Sequence, residues 1–426
     1  MRSSQAAAPA PDWRGPAAKV VLGADEVEFG HAAAPRWPCQ VCLLLEPAPV
    51  LVFEVVTRTP TIPLDWTATV RLLKAACSCE VLVKSVSHGE ETRLTLTPTR
   101  QPLMAGASQR LTEVQFDLVN APEFFAPSPR GGGIVRNRLE VLAGAWRIVL
   151  EPAVSREVTN AFQSPLYAIT HSCRLKHTDG AVFDSSEVPG LLDAVHAASS
   201  FAAGRWTAPV LVRGTEADGR CTWQEWGTRT VDPNLSPAET WFEPHHGQAL
   251  AELMTGLARL TGDDAWKETI LRALDWYVSA HKLADASGGP LILLHDALER
   301  LSAQIFVYHR KSLSSEGFHR LAGDDRIRLL LDACQIPASL PAGLTALRAA
   351  AGEARWPDGP AALASVRRRL VDASPPGEDL RAECGRLAAW YVELALLKLS
   401  GFAGEYANRT RAERWAGSVE PVPWAR

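Results

Sequence analysis

Hydrophobic and polar positions alternate with a period of two through the first half of the chain and change to a helical period after Pro244. Apolar or alternating runs cover residues 41–45, 50–56, 80–86, 92–97, 113–119 and 146–150. Clusters of Pro, Gly, Asn and Ser separate them, as expected of antiparallel strands. The run EVQFDLVN puts Val114, Phe116 and Leu118 on one face. A further strand pair is predicted within 166–183 around the turn Thr178-Asp179-Gly180, where His171 and His177 would approach each other. A helix over 188–201 follows, then a hairpin of 210–212 with 221–226.

Beyond Pro244, residues 246–260 and 264–281 read as amphipathic helices. Leu291, Leu294, Leu298, Leu301, Ile305 and Tyr308 follow one face of a third, and 326–334 form a fourth closed by Pro337. The last long helix is expected to be capped by Ser374, with Pro375 in its first turn and Glu378 at its positive end. Leu380, Cys384, Leu387, Tyr391, Leu394 and Ala395 share its stripe, and Gly401 stops it. The fold class is therefore α+β: a β-rich half, antiparallel sandwich or barrel-like, then an all-α bundle. Boundaries fall at 1–20 for a disordered tail, 21–235 for the β-rich domain with a further break near 155–165, and 236–426 for the bundle.

Composition narrows the function classes. A net charge of -4 over 426 residues provides no general attraction to nucleic acid, so RNA binding needs a local basic patch. No segment approaches the roughly 18 consecutive apolar residues of a membrane span, and the first residues lack a secretory core, so a cytoplasmic protein is expected. The eight cysteines are irregularly spaced and fit reduced thiols better than a disulfide framework.

Motif chemistry is sparse. Cys39 and Cys42 with Cys77 and Cys79 offer four thiolates, but on strands Cys39 and Cys42 point to opposite faces, which favours buried structural thiols over zinc. His245 and His246 beside Glu243 lack helical metal-ligand spacing and read as a polar helix start. Trp206, Trp223, Trp226 and Trp241 lie among arginines and suit either base stacking or, more simply, a buried seal at a domain interface. The glycines of PSPRGGG, residues 127–133, lack the Lys-Ser or Lys-Thr of a phosphate loop. No metal site and no cofactor is expected.

The segments ITHSCRLKHTDGAVF, AWKETILRALDWYVSA, LLHDALERL, GFHRLAGDDRIRLLL, SVRRRLVDA and GFAGEYANRT together carry a resemblance. They resemble bacterial proteins of the ApeA-like type, which join a β-rich half to a C-terminal HEPN-like helical bundle. That resemblance implies a defence-type or toxin-like protein, with the β half sensing a ligand and the bundle acting on RNA as a homodimer. The alternative it leaves open is a non-catalytic scaffold that uses the bundle to dimerise. In such families an arginine is followed five positions later by histidine. Here Arg367 takes the arginine position, Arg368 replaces an asparagine, and Asp372 replaces the histidine; no histidine follows His319. Metal-independent RNA cleavage needs a proton-transfer group near neutral pKa beside a cation on the phosphate. Aspartate, ordinarily titrating near ~3.9, is an anion at neutral pH and repels phosphate. A weak or inactive endoribonuclease is thus expected, with Arg368 and Asp372 forming an exposed pair one helical turn apart. Arg368, Tyr406, Asn408 and Arg409 are the binding residues that the resemblance implies.

Overall fold

The computed structural model describes residues 19–30, 36–57, 67–128, 131–153, 166–235, 238–283, 287–372, 376–411 and 413–425. Most of the expected tail over 1–20, the break near 155–165, and Ser374 and Pro375 lie outside the described residues. The class is α+β, with a β-rich N-terminal half and a helical C-terminal region. The chain divides into two compact units that do not follow a single cut. The first comprises Met1–Ala121, Ala145–Pro189 and Thr207–Leu235; the second comprises Pro122–Gly144, Gly190–Trp206 and Ser236–Arg426.

In the first unit, β1 (Lys19–Phe29), β2 (Arg36–Leu44), β3 (Val50–Thr57), β4 (Thr67–Leu72), β5 (Cys77–Ser87) and β6 (Thr92–Pro98) close a barrel in the order β1-β2-β3-β6-β5-β4. Alternation fills its interior: Val27, Val41, Phe53, Val55, Val70, Leu72, Val81 and Leu96 are each fully buried. Closure leaves no open edge among these strands. β1 escapes the alternation rule because its register shifts between Val21 and Gly23 and because Asp25 turns inward. The Asp25 carboxylate accepts the backbone N–H of Lys74 at 2.7 Å and of Ala75 at 2.9 Å, which satisfies its burial.

The same unit holds a sheet built on β7 (Leu103–Gly106), β8 (Glu113–Val119), β12 (Trp146–Pro152), β13 (Ile169–His177), β14 (Ala208–Thr215) and β15 (Cys221–Trp226). Its strands run β12-β13-β8-β14-β15-β7, with β8 central. The expected strand pair within 166–183 is instead the single strand β13, and Phe183 makes only an isolated bridge to Leu111. His171 and His177 therefore share one strand, roughly 20 Å apart at ~3.3 Å per residue, and do not meet.

The second unit is mainly helical but also carries strands. β9 (Phe125–Pro127) pairs with β10 (Ile134–Arg136), β11 (Leu139–Ala143) follows, and β16 (Glu405–Tyr406) pairs with β17 (Glu420–Pro421). α1 (Val188–Ala203) joins it through aromatic packing: Phe201 lies 5.4 Å from Trp241 and 5.1 Å from Tyr277, ring centre to ring centre. α2 (Gln248–Thr261), α3 (Asp264–His281), α4 (Gly289–Ala303), α5 (Ser315–Arg320), α6 (Gly323–Ala333), α7 (Thr345–Ala354), α8 (Gly359–Val371) and α9 (Glu378–Ser400) complete it. Every residue from Leu387 to Leu397 of α9 is buried, so this helix is a central post rather than a one-sided amphipathic element. Gly256 of α2 lies so close to the Ser400 carbonyl that a side chain there would collide with it. A π-helical segment, Gln304–His309, continues α4, which is where the predicted third helix ended.

Candidate functional site

α8 carries the arginine expected to matter, and its position is set at its first turn. Asp358 accepts the N–H of Ala361 at 2.9 Å, which caps the helix. The same carboxylate takes both Nε (2.6 Å) and Nη2 (3.1 Å) of Arg328 from α6. This forked pair fixes α8 against α6. Ala362, Leu363 and Val366 face the interior, leaving Arg367 half-buried and Arg368 exposed.

Asp372 lies beyond the last helical residue. It is the exposed C-cap of α8, and its N–H donates to the Arg368 carbonyl at 2.9 Å. Among the described residues, no ion pair joins Arg368 to Asp372, so the expected side-chain pair is replaced by a backbone cap. Arg367 turns instead to α4, where its Nη2 reaches Asp296 Oδ1 at 3.0 Å. Both side chains of that pair are more than a third exposed, so the contact is worth only about 0–1 kcal/mol.

Next to Asp296 stands His295, 2% exposed. Neither of its ring nitrogens has a hydrogen-bond partner among the described residues, and the nearest carboxylate, Glu299, is 4.0 Å away. Glu299 is engaged with Arg326 at 3.3 Å. Burial, and then the charges of Arg367 and Arg326, push the His295 imidazole down to about 4. The fold thus places a histidine beside Arg367 that the motif spacing lacks. Sealed and neutral at pH 7, that imidazole is poorly suited to shuttle protons.

The three tail residues are brought together, but inward. Tyr406 is 1% exposed; its hydroxyl donates to Glu420 Oε1 at 2.9 Å and accepts from Trp390 Nε1 at 3.1 Å. Asn408 donates to the same Glu420 oxygen at 2.8 Å and accepts the N–H of Thr410 at 2.9 Å. Arg409 donates through Nε to Glu393 Oε2 (2.9 Å) and through Nη2 to Glu393 Oε1 (2.6 Å). Glu393, fully buried in α9, also accepts from Tyr277 Oη at 2.6 Å and from the Trp241 N–H at 3.0 Å. His281 completes the cluster: its Nδ1 donates to the Tyr277 carbonyl at 2.8 Å, and its Nε2 stands 3.1 Å from Arg409 Nη2 and 3.2 Å from the Glu239 carbonyl. Burial drives the Tyr277 hydroxyl well above its ordinary range, with the Glu393 charge adding to the rise. These groups fasten the tail to α3 and α9, and none of their bonds reaches α8.

The remaining sequence candidates resolve simply. Cys39, Cys77 and Cys79 pack in the barrel core, and Cys42 is buried as well. Desolvation pushes Cys39 and Cys79 up to about 12 and Cys42 up to about 11, which leaves unreactive thiols. His245 and His246 belong to a short 3-10 turn capped by Glu243, whose carboxylate accepts the His245 N–H at 3.3 Å. Trp206, Trp223, Trp226 and Trp241 are all buried, so none presents a ring face for base stacking. Among the described residues, no group of three or more His, Cys, Asp or Glu is arranged to hold a metal ion, and no helix is long and apolar enough to cross a membrane. Spacing along the chain missed His295 and Glu393. For Glu393 the available signal was a lone charged residue inside an apolar helical run, WYVELALL; His295, in LLHDALERL, stands among other polar residues and gave no such signal.

Comparison with known proteins supplies relatives for both units. Residues 106–237 match the YopA central domain and residues 263–420 match the YopA C-terminal domain. Over 362 residues the chain is 24% identical to the SPbeta prophage-derived uncharacterized protein YopA of Bacillus subtilis (strain 168), covering 81% of this chain and 79% of that protein. No solved structure matches. By two successive domains and by this relative, the chain is similar to the phage-related YopA family.

Proposed function

We propose that this chain is a phage-related, defence-type protein of the cytoplasm, in which the β-rich region senses a ligand and a degenerate HEPN-like bundle no longer cleaves RNA. One observation carries the reading. The position that resemblance reserves for histidine is Asp372, an exposed cap beyond the helix end, while Arg367 is already paired with Asp296. His295, although adjacent, is sealed from solvent. The prophage origin of the YopA relative supports the phage connection.

The same observation favours a second reading, in which the bundle is a homodimerising scaffold without any RNA substrate. Purified full-length chain incubated with total cellular RNA, beside Arg367→Ala and Asp372→His, tests the first. The expected result is an intact RNA profile for the natural chain and for Arg367→Ala. Cleavage by the natural chain that vanishes in Arg367→Ala would overturn the inactive-bundle reading. Phage plaque counts and growth curves of an expressing strain then separate defence from scaffold: unchanged plaques and growth favour the scaffold.

A further inference from the structure

A second polar centre lies in the first unit, on the central strand of its sheet. Asp117 of β8 stands in register with Ser172 of β13 on one side and Val210 of β14 on the other. β14 is irregular between Val210 and Arg213, and Leu211 there adopts a φ of 55°. That bulge spreads the strands where a cavity of about 210 Å³ opens, lined by Asp117, Ser172, Arg213, Leu22, Leu211 and Trp226 among others. Leu22 and Leu211 pack on the apolar cluster of Val20, Leu43, Val119 and Val210, which gives the cavity a firm wall.

The charges around this cavity are unevenly matched. Arg174 pairs with Glu151 at 2.8 Å, and Glu225 pairs with Arg229 at 2.5 Å. Asp117 and Arg213 form no ion pair among the described residues. Asp117, 7% exposed, accepts a hydrogen bond from Ser172 Oγ to Oδ1 at 2.7 Å. Arg213 donates Nε (3.1 Å) and Nη2 (2.8 Å) only to the neutral amide oxygen of Gln115. A buried carboxylate with one donor is costly, and burial accordingly pushes Asp117 up to about 6. The cavity therefore offers one negative and one positive group that feel each other's charge without forming a direct ion pair among the described residues, both lining the same small space.

We propose that this cavity binds a small zwitterion of the free amino-acid class, its ammonium on Asp117 and its carboxylate on Arg213. Size restricts the ligand. The volume equals about seven water molecules at ~30 Å³ each and falls below the ~300–1,000 Å³ of drug-sized sites. That volume favours a compact molecule with opposite charges at its two ends. Ser172 holds the Asp117 carboxylate in place, and the apolar wall borders both contacts. The site gives the proposed sensing role of the β-rich region a ligand class, and it rests on that reading for biological meaning alone.

Calorimetric titration of the full-length chain near neutral pH, with glycine, L-alanine, L-serine and γ-aminobutyrate as probes, tests the site. Methylammonium and acetate serve as the two separated halves. At least one zwitterion is expected to bind at about millimolar or lower concentration, with either half about tenfold or more weaker. Asp117→Asn and Arg213→Gln should each weaken that binding by about tenfold or more while circular dichroism stays unchanged. The comparison of whole and half ligands needs no variant, so it decides the matter even where a variant folds poorly. Absence of heat from all four zwitterions, halves that bind as well as the whole, or folded variants of undiminished affinity would each overturn the proposal. Zwitterion binding without any effect on phage plaques or growth supports this site and counts against the sensing role, so the two fail separately.

Discussion

Glu393 and Asp117 are both buried carboxylates with an arginine nearby, yet their surroundings differ completely. Glu393 accepts from two nitrogens of Arg409, from the Tyr277 hydroxyl and from the Trp241 backbone N–H. Among the described residues, Asp117 accepts from Ser172 alone. Around Glu393 the polar capacity is used up internally, so the charge serves the fold. In the sheet it is left open beside a cavity, so the charge is maintained at a cost to stability. Whether a buried charge is structural or functional is thus read from how many donors surround it rather than from its burial.

The largest effect belongs to the closed cluster. Arg409→Ala leaves Glu393 buried without its counter-charge, and removing one partner of such a pair typically costs about 3–5 kcal/mol. Denaturant unfolding of the helical unit should register this loss; a change under about 1 kcal/mol would show that the tail is not fastened through Arg409.

Asp117 responds in the opposite direction. Its value of about 6 in the folded chain lies above the ordinary 3.8, so the protonated form is the one the fold favours. Its contribution is therefore intact below the ordinary value and fades as pH rises through about 6. Asp117→Asn keeps the shape and removes that loss, which should stabilise the first unit by roughly 1–3 kcal/mol at neutral pH and flatten its pH dependence. Unfolding followed across the acid-to-neutral range checks both expectations, and a variant that retains the slope rules out Asp117 as its source.

His295 adds an uncharged counterpart, a buried group whose ring nitrogens have no hydrogen-bond partner among the described residues. Its value of about 4 lies below the ordinary 6.5, so its contribution is whole above 6.5 and fades as pH falls toward 4. His295→Leu should leave neutral stability within about 1 kcal/mol and reduce the acid sensitivity of the helical unit. A marked loss at neutral pH would mean that the imidazole has a partner after all. Arg367→Ala should have the smallest effect, about 0–1 kcal/mol, because its pair with Asp296 is largely open to solvent.

Much of the architecture was legible where local rules act undisturbed. β8 and α3 begin and end where alternation and the helical period place them. β1 was not legible, because Gly23 shifts its register and Asp25 is an acid pointing inward. α7, an alanine-rich stretch with few large apolar side chains, carried too little periodicity to stand out. At the sites, the loss of histidine at 372 could be read from spacing within one segment. The approach of His295 to Arg367, of Glu393 to Arg409, and of Asp117 to Arg213 depends on elements distant in sequence. Periodicity assigns Asp117 to the polar face of β8, but nothing in it reveals that a cavity would bury that position.

Calorimetric unfolding of the full-length chain at neutral pH, with Glu393→Gln and Asp117→Asn side by side, tests the contrast most directly. The account predicts opposite signs: Glu393→Gln lowers the transition of the helical unit by about 3–5 kcal/mol of stability, and Asp117→Asn raises that of the β-rich unit by roughly 1–3 kcal/mol. Losses of similar size in both variants would contradict it, since Asp117 would then be as fully engaged in the fold as Glu393.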